Sequence, residues 1–448
     1  MHRSTWSRAA GAAAVLASLF QFGGQRVRAQ ASITLEEAIA RARANEPGFA
    51  AAVAQSRSAE LDRSIARAAL LPTAVYHNQF IYTQPARGRT GSANASAAEN
   101  SIGAEPRFIA NNTVHEYVSQ GQATETIGAQ QITAVARAAA AASVAKAELE
   151  IARRGLAATV VNLFYGSLAA ERRVAIAERA EDEAASFVKL TEQREQARES
   201  AHADVVKAQL GEQQRQRELE NARVEAEKAR LELGVLLFPD PRSAFTLAAP
   251  AVSALASRAE IEAAATRSNP ELESALASLR ASSLGVTSAR AAYLPDLGVS
   301  VAYGIDAPEF AIHAPDGVKN LGYSATATVD IPVWDWFSTQ HKVKQAEIQR
   351  DLAKVTLSAT QRRLIAQLDE SYAEAQTAQA QLASLDLSVQ TAEKSLKLTR
   401  LRYTAGEATV LEVVDAQTSF TAAETAREDG AVRYQAAVAN LELLTGTI

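Results

Sequence analysis

The 448-residue chain has no cysteine, one methionine and only 6% aromatic residues. Without cysteine there are no disulfides, no thiolate metal ligands and no thiol nucleophile, and no N-terminal cysteine can carry lipid after export. The hydrophobic share is 47%, but much of it is alanine, which favours helix and close approach without filling a thick core. Past the N-terminal segment no apolar run reaches the ~18 residues of a membrane-spanning helix, so none is expected. His77, His115, His202, His313 and His341 are scattered with no metal-ligand spacing. Neither a phosphate-cradling glycine loop nor a nucleophile elbow is present. The chain is therefore not expected to be an enzyme, and neither a cofactor nor a metal site is expected.

The first residues have the form of a secretory signal. Arg3 and Arg8 give a charged end, Ala9 to Phe22 a short apolar run, and Val27-Arg28-Ala29 small residues at the cleavage positions. A signal peptide is expected over 1–29; the alternative is an uncleaved anchor, for which the run is short. Residues 1–29 hold four arginines and no acid, so their removal takes the net charge from −5 to −9. That sign argues against nucleic acid as a partner.

An internal repeat organises the remainder. Arg67-Ala68-Ala69-Leu70-Leu71-Pro72 recurs as Arg290-Ala291-Ala292-Tyr293-Leu294-Pro295, each 25 residues after another proline, Pro47 or Pro270. The first repeat is expected over 30–238, with helix 46–70, strands 74–84 and 113–124, and helices 127–195 and 201–238. A linker at 239–257 follows Pro239-Asp240-Pro241. The second repeat is expected over 258–448, with helix 270–294, strands 297–306 and 321–331, and helices 338–404 and 408–445. Residues 85–112, with Gly, Ser, Asn and Pro, read as a long polar loop.

Leu297, Val299, Val301, Tyr303 and Ile305 alternate with small or polar residues, as do Tyr323, Ala325, Ala327, Val329 and Ile331. Such alternation predicts half-buried strands, either on a soluble core or, as favoured here, facing lipid. Trp334, Trp336 and Phe337 follow the last strand, where an interfacial aromatic belt is expected. Each long helix spans roughly 100 Å at about 1.5 Å per residue. Leu382, Leu385, Val389, Ala392, Leu396, Thr399 and Tyr403 step by three and four, a coiled-coil seam. About four strands per chain are too few for a membrane barrel, whose smallest form has about eight. Unpaired strand edges in lipid cost several kcal/mol per group, so several chains must share one barrel. A soluble periplasmic coiled-coil scaffold or adaptor is the alternative; it explains the seam but not the strands.

Arg402-Tyr403-Thr404-Ala405-Gly406-Glu407 is followed by Val410-Leu411-Glu412-Val413-Val414-Asp415-Ala416-Gln417, and Asp204-Val205-Val206-Lys207-Ala208-Gln209 matches this in the first repeat. With Asp330-Ile331-Pro332-Val333-Trp334-Asp335 and the helix starts Asn45-Glu46-Pro47 and Asn269-Pro270, these segments resemble the TolC-like outer membrane efflux proteins over the whole mature chain. The resemblance implies a mainly α fold with a small β part. Its two repeats of long coiled-coil helices plus two strands would form a homotrimer, with a barrel of about 12 strands in outer-membrane lipid and an α-helical tunnel in the periplasm. It implies a passive exit duct for tripartite efflux or type I secretion. The expected partners are a periplasmic adaptor and an inner-membrane pump of RND, ABC or MFS type. Glu412, Asp415, Tyr403 and Asp204 fall at gate positions, with a Tyr403–Asp204 hydrogen bond as one possible link. Glu412 and Asp415 share a helix face, and three copies would make an acidic ring that favours cations and raises its own proton affinity. Gly406, Glu407, Arg198 and Ser200 fall at tip turns, where an adaptor would dock. Two features depart from the family pattern. Ala408 stands where an arginine is common, and Arg198-Glu199-Ser200 lacks a glycine, so the two tip turns are expected to differ in shape.

Overall fold

A computed structural model describes residues 32–83, 115–249 and 254–446; the expected signal peptide at 1–29 and the loop at 85–112 lie outside them. The first repeat comprises β1 (Ser32–Ile33), α1 (Leu35–Asn45), α2 (Pro47–Ala68), β2 (Thr73–Tyr82), β3 (His115–Ile127), α3 (Ala129–Gln196) and α4 (His202–Leu237). The second comprises β4 (Thr246–Leu247), α5 (Arg258–Ser268), α6 (Pro270–Ala291), β5 (Asp296–Ala307), β6 (Leu321–Asp330), α7 (Ser338–Thr404) and α8 (Val410–Thr445). Paired helices match closely in length: α1 and α5 have 11 residues each, α2 and α6 have 22, α3 and α7 have 68 and 67, and α4 and α8 have 36. The fold is mainly α with a small β part, built twice.

The repeated sextet explains where α2 and α6 stop. Leu70 and Leu71 donate to carbonyls three residues back, as do Tyr293 and Leu294. This tightens the last turn just ahead of Pro72 and Pro295, whose rings disfavour helix in the preceding residue. Both helices thus end about one turn before the proline rather than at 70 and 294.

The chain divides into two compact units. One, comprising 51–151 and 269–365, holds an antiparallel sheet in the order β2-β3-β5-β6. Its register aligns Tyr76 with Gly121, Gly121 with Tyr303, and Tyr303 with Tyr323; Ala123, Val301 and Ala325 form the next such row. Opposed residues share a face, so one face carries these together with Phe80, Tyr117, Leu297, Val299 and Val329. The other carries Gln120, Gln122, Ser300, Thr326 and Thr328. On β5 the apolar face is the exposed one: Leu297, Val299, Val301 and Tyr303 are exposed, while Gly298, Ser300, Ala302 and Gly304 are half-buried or buried. Within the described residues, which resume at 115, β3 extends to 127 rather than ending at 124. β2 and β6 are the sheet's outer strands among the described residues.

The other unit comprises residues up to 50, 152–268 and 366–448. Its core packs Ile39 of α1, Val160, Val161 and Phe164 of α3, Leu233 and Leu237 of α4, and Ala439 and Leu443 of α8. β1 pairs in parallel with β4, and Phe245 is buried in this same core. The segment read as a linker at 239–257 therefore contributes a strand and a core side chain. Every seam residue named on α7, from Leu382 to Tyr403, is buried or half-buried, and all but Thr399 lie between exposed neighbours. Gly430 lets Leu385 press against α8, because a Cβ there would sit 2.4 Å from a Leu385 methyl. Ion pairs Arg172–Glu428 at 2.7 Å and Arg179–Glu424 at 2.8 Å tie α3 to α8.

Candidate functional site at the paired turns

The α3–α4 and α7–α8 turns lie together in this second unit. In the first, Arg198 N–H donates to Glu195 O and Glu199 N–H to Arg194 O, both at 2.8 Å. In the second, Gly406 N–H donates to Tyr403 O at 3.0 Å and Glu407 N–H to Arg402 O at 2.8 Å. This is the same left-handed C-cap at positions 208 residues apart. The expected difference in shape is not found. Arg198 takes φ 64° where Gly406 takes φ 82°, so the arginine accepts a conformation that glycine adopts freely.

The helices that follow start differently. Thr409 caps α8, and its hydroxyl and backbone N–H meet Glu412 in a reciprocal capping box. α4 starts at Ala201 without a side-chain cap. There Ser200 Oγ donates to Asp204 Oδ2 at 3.1 Å, and His202 Nδ1 lies 2.8 Å from Glu195 Oε1. Asp204 and Glu412 occupy the same place in the two repeats.

Tyr403 is 4% exposed. Its ring meets Phe187 edge-on at 5.1 Å, and its hydroxyl points to Thr191 Oγ1 at 3.4 Å. The Arg194 guanidinium covers the ring face, 4.8 Å from its centroid, and Arg194 Nη1 donates to the Tyr403 carbonyl. Asp204 is not the hydroxyl's partner within the chain; Tyr403 docks on α3 instead. Phe187, Val188, Ala208, Tyr403, Val410 and Val413 form one buried cluster joining α3, α4, α7 and α8, with Ala408 packed against it.

Glu412 is held below the usual carboxylate range by hydrogen bonds from the Thr409 backbone and hydroxyl, and by Arg402, whose Nη1 is 3.4 Å away. Within one chain this opposes the raised proton affinity expected of an acidic ring. Asp415, a turn further along α8, is exposed. Gly406, Glu407 and Arg198 lie on the exposed turns, with Ser200 half-buried beside them.

Trp334, Trp336 and Phe337 belong to the sheet-bearing unit. All three are exposed, and the Trp334 ring lies 5.7 Å from Trp336 and 5.3 Å from Phe337. Trp336 and Phe337 have φ 55° and 65°. The turn is closed by Asp335, whose Oδ2 accepts from Thr339 N–H at 2.7 Å and so starts α7.

The sequence reading did not single out Phe187, Thr191 and Arg194. Their spacing of four and three on α3 places them on one face, and Arg194 lies one repeat from Arg402. These signals were present, but neither identifies Tyr403 as the partner.

Residues 261–447 match the family model described as outer membrane efflux protein. Outer membrane protein OprJ of Pseudomonas aeruginosa is 25% identical over 172 residues, which is 38% of this chain and 36% of OprJ. The aligned stretch thus spans about a third of that relative. Among solved structures, the outer membrane protein VceC of Vibrio cholerae superposes with TM-score 0.77 at 18% identity, covering 92% of this chain and 96% of VceC. The Campylobacter jejuni CmeC outer membrane channel gives 0.76 at 16% identity, covering 92% and 85%. The C-terminal repeat thus matches the outer membrane efflux protein family model, and across both repeats the chain has the fold of VceC and CmeC.

Proposed function

We propose that this protein is an outer-membrane exit duct, a homotrimer that passively conducts substrates delivered by a periplasmic adaptor and an inner-membrane pump of RND, ABC or MFS type. One observation carries the reading: the apolar face of β5 is exposed while its small and polar face is shielded. A soluble antiparallel sheet buries its apolar face; a membrane barrel turns it to lipid and keeps polar residues inside. The outer strands β2 and β6 need partners in lipid. Three four-stranded sheets give a closed barrel of 12 strands, and Trp334, Trp336 and Phe337 would lie at its membrane interface. The family match over 261–447 supports the outer membrane as the location.

In this reading the paired turns are the gate and adaptor-docking end. Glu412 and Asp415 face the opening, and Tyr403 and Asp204 hold the helix ends. Gly406, Glu407, Arg198 and Ser200 form the surface an adaptor meets. The test is reconstitution of the purified mature protein. A heat-labile trimeric band on gels together with unitary conductance in planar lipid bilayers is expected; a detergent-independent soluble monomer would overturn the proposal.

A further inference from the structure

The structure assigns to Arg194 a role outside the gate set above: we infer that it is the positioning residue that latches the end of α7, and with it the α7–α8 turn, onto α3 of the same chain. The inference rests on the reading of the paired turns as a gate.

Tyr403 sits in a notch formed by Phe187, Thr191 and Arg194 on one face of α3. Its hydroxyl is a weak part of that contact, because 3.4 Å to Thr191 is long for O–H···O. Arg194 makes two further contacts to Tyr403. Its planar cation covers the ring, where it is attracted to the negative face, and it donates to the Tyr403 carbonyl. That carbonyl also accepts from Gly406 in the turn, so the cation sits at the negative end of α7. The Arg194 side chain is only 15% exposed, and low exposure strengthens both contacts. Its Nε is 3.6 Å from Glu199 Oε2, which ties the latch to the first turn as well.

The equivalent arginine does not do this. Arg402, 208 positions on, donates to Glu407 O at 3.0 Å and approaches Glu412 at 3.4 Å, both within its own repeat. Of the two, only Arg194 crosses from the first repeat to the second. A symmetric sequence has thus produced an asymmetric joint, and the crossing arginine is the one that fixes where α7 ends.

The test compares wild type, Arg194→Lys, Arg194→Gln, Tyr403→Phe, Tyr403→Leu and the Arg194→Gln/Tyr403→Leu double variant as single channels in planar bilayers. The absence of native cysteine allows a second readout, the rate at which a maleimide labels Val410→Cys, a position 1% exposed in the cluster beneath the latch. Arg194→Gln is expected to raise resting open probability at least threefold and to speed labelling by a similar factor. Arg194→Lys should recover part of the effect, since it keeps charge without the planar fork. Tyr403→Phe, which keeps the ring but loses the hydroxyl contact to Thr191, should be less leaky than Tyr403→Leu. The double variant should be no leakier than the leakier single variant, as expected for two groups that act on one another. Wild-type leak and labelling in Arg194→Gln, or additive effects in the double variant, would overturn the latch while leaving the channel reading intact. Wild-type protein that forms no channel would instead overturn the gate reading, and the latch with it.

Discussion

Arg198 shows how much a single residue tolerates when its surroundings require a turn. For a non-glycine residue the left-handed conformation costs about 1–2 kcal/mol, yet Arg198 adopts φ 64°. The Arg194 and Glu195 carbonyls are satisfied by this geometry, and leaving such groups unpaired costs a comparable amount. Replacing Arg198 with glycine should therefore stabilise the chain by about 1 kcal/mol, after glycine's own entropic cost is subtracted. Gly406→Ala should destabilise it by about 1 kcal/mol through backbone strain, because a Cβ there meets nothing closer than 3.8 Å. Thermal unfolding in detergent measures both, and shifts of the same sign would remove the equivalence of the two turns. The left-handed conformation was legible at Gly406, where residue type announces it, and illegible at Arg198, where the hydrogen-bond pattern alone imposes it. Glu412 gives a second case. Its acidity is increased in the folded state, so its contribution is present above the ordinary carboxylate pKa and lost as pH falls through the lower, folded value. Wild type should accordingly lose more melting temperature than Glu412→Gln between pH 6 and pH 3. Parallel losses would mean that the capping box contributes no pH dependence.

Among the elements, strands show what periodicity can and cannot reveal. β5 and β6 alternate cleanly in sequence, and their faces in the sheet follow that alternation. β3 alternates weakly because Gln120, Gly121 and Gln122 sit at its middle; its extent is set by pairing with β2 and β5 on either side, information its own residues do not carry. The same applies to β4, a two-residue strand visible only through its partner β1. Face assignment leads to a direct experiment. Val301 lies at the centre of the apolar face, between Ala123 and Ala325, and Thr326 on the opposite face beside Ser300. An arginine on a lipid-facing strand costs about 2–4 kcal/mol near the bilayer midplane, and on the lumenal face far less. Val301→Arg should abolish or sharply reduce the membrane-inserted, heat-labile trimer, whereas Thr326→Arg should assemble and alter ion selectivity. Equal assembly of both variants would mean that the apolar face does not meet lipid.

At the scale of the molecule, the repeat explains both what the sequence revealed and what it concealed. The matching ends of α2 and α6 follow from Pro72 and Pro295 and could be read directly. The contact between Arg194 and Tyr403 links the two copies across 209 positions, and nothing in either copy marks which arginine crosses. The same break in symmetry shapes the acidic end. Position for position, Asp204 stands where the second repeat has Glu412, but Lys207 stands where it has Asp415. The net acidic excess therefore lies on α8, and in a trimer six carboxylates from Glu412 and Asp415 would surround the opening. Glu412 is partly committed to Thr409 and faces Arg402, while Asp415 is exposed, so Asp415 should dominate attraction of cations. In single-channel recordings, Asp415→Asn should weaken block by a trivalent cation such as hexaamminecobalt about tenfold, which corresponds to about 1.4 kcal/mol. Glu412→Gln should weaken it severalfold less. High salt should shrink both effects, since exposed charges are screened beyond about 8 Å at physiological ionic strength. Block that is unchanged in the double variant would place these carboxylates away from the conduction path, leaving the paired turns as a joint between helices rather than an entrance.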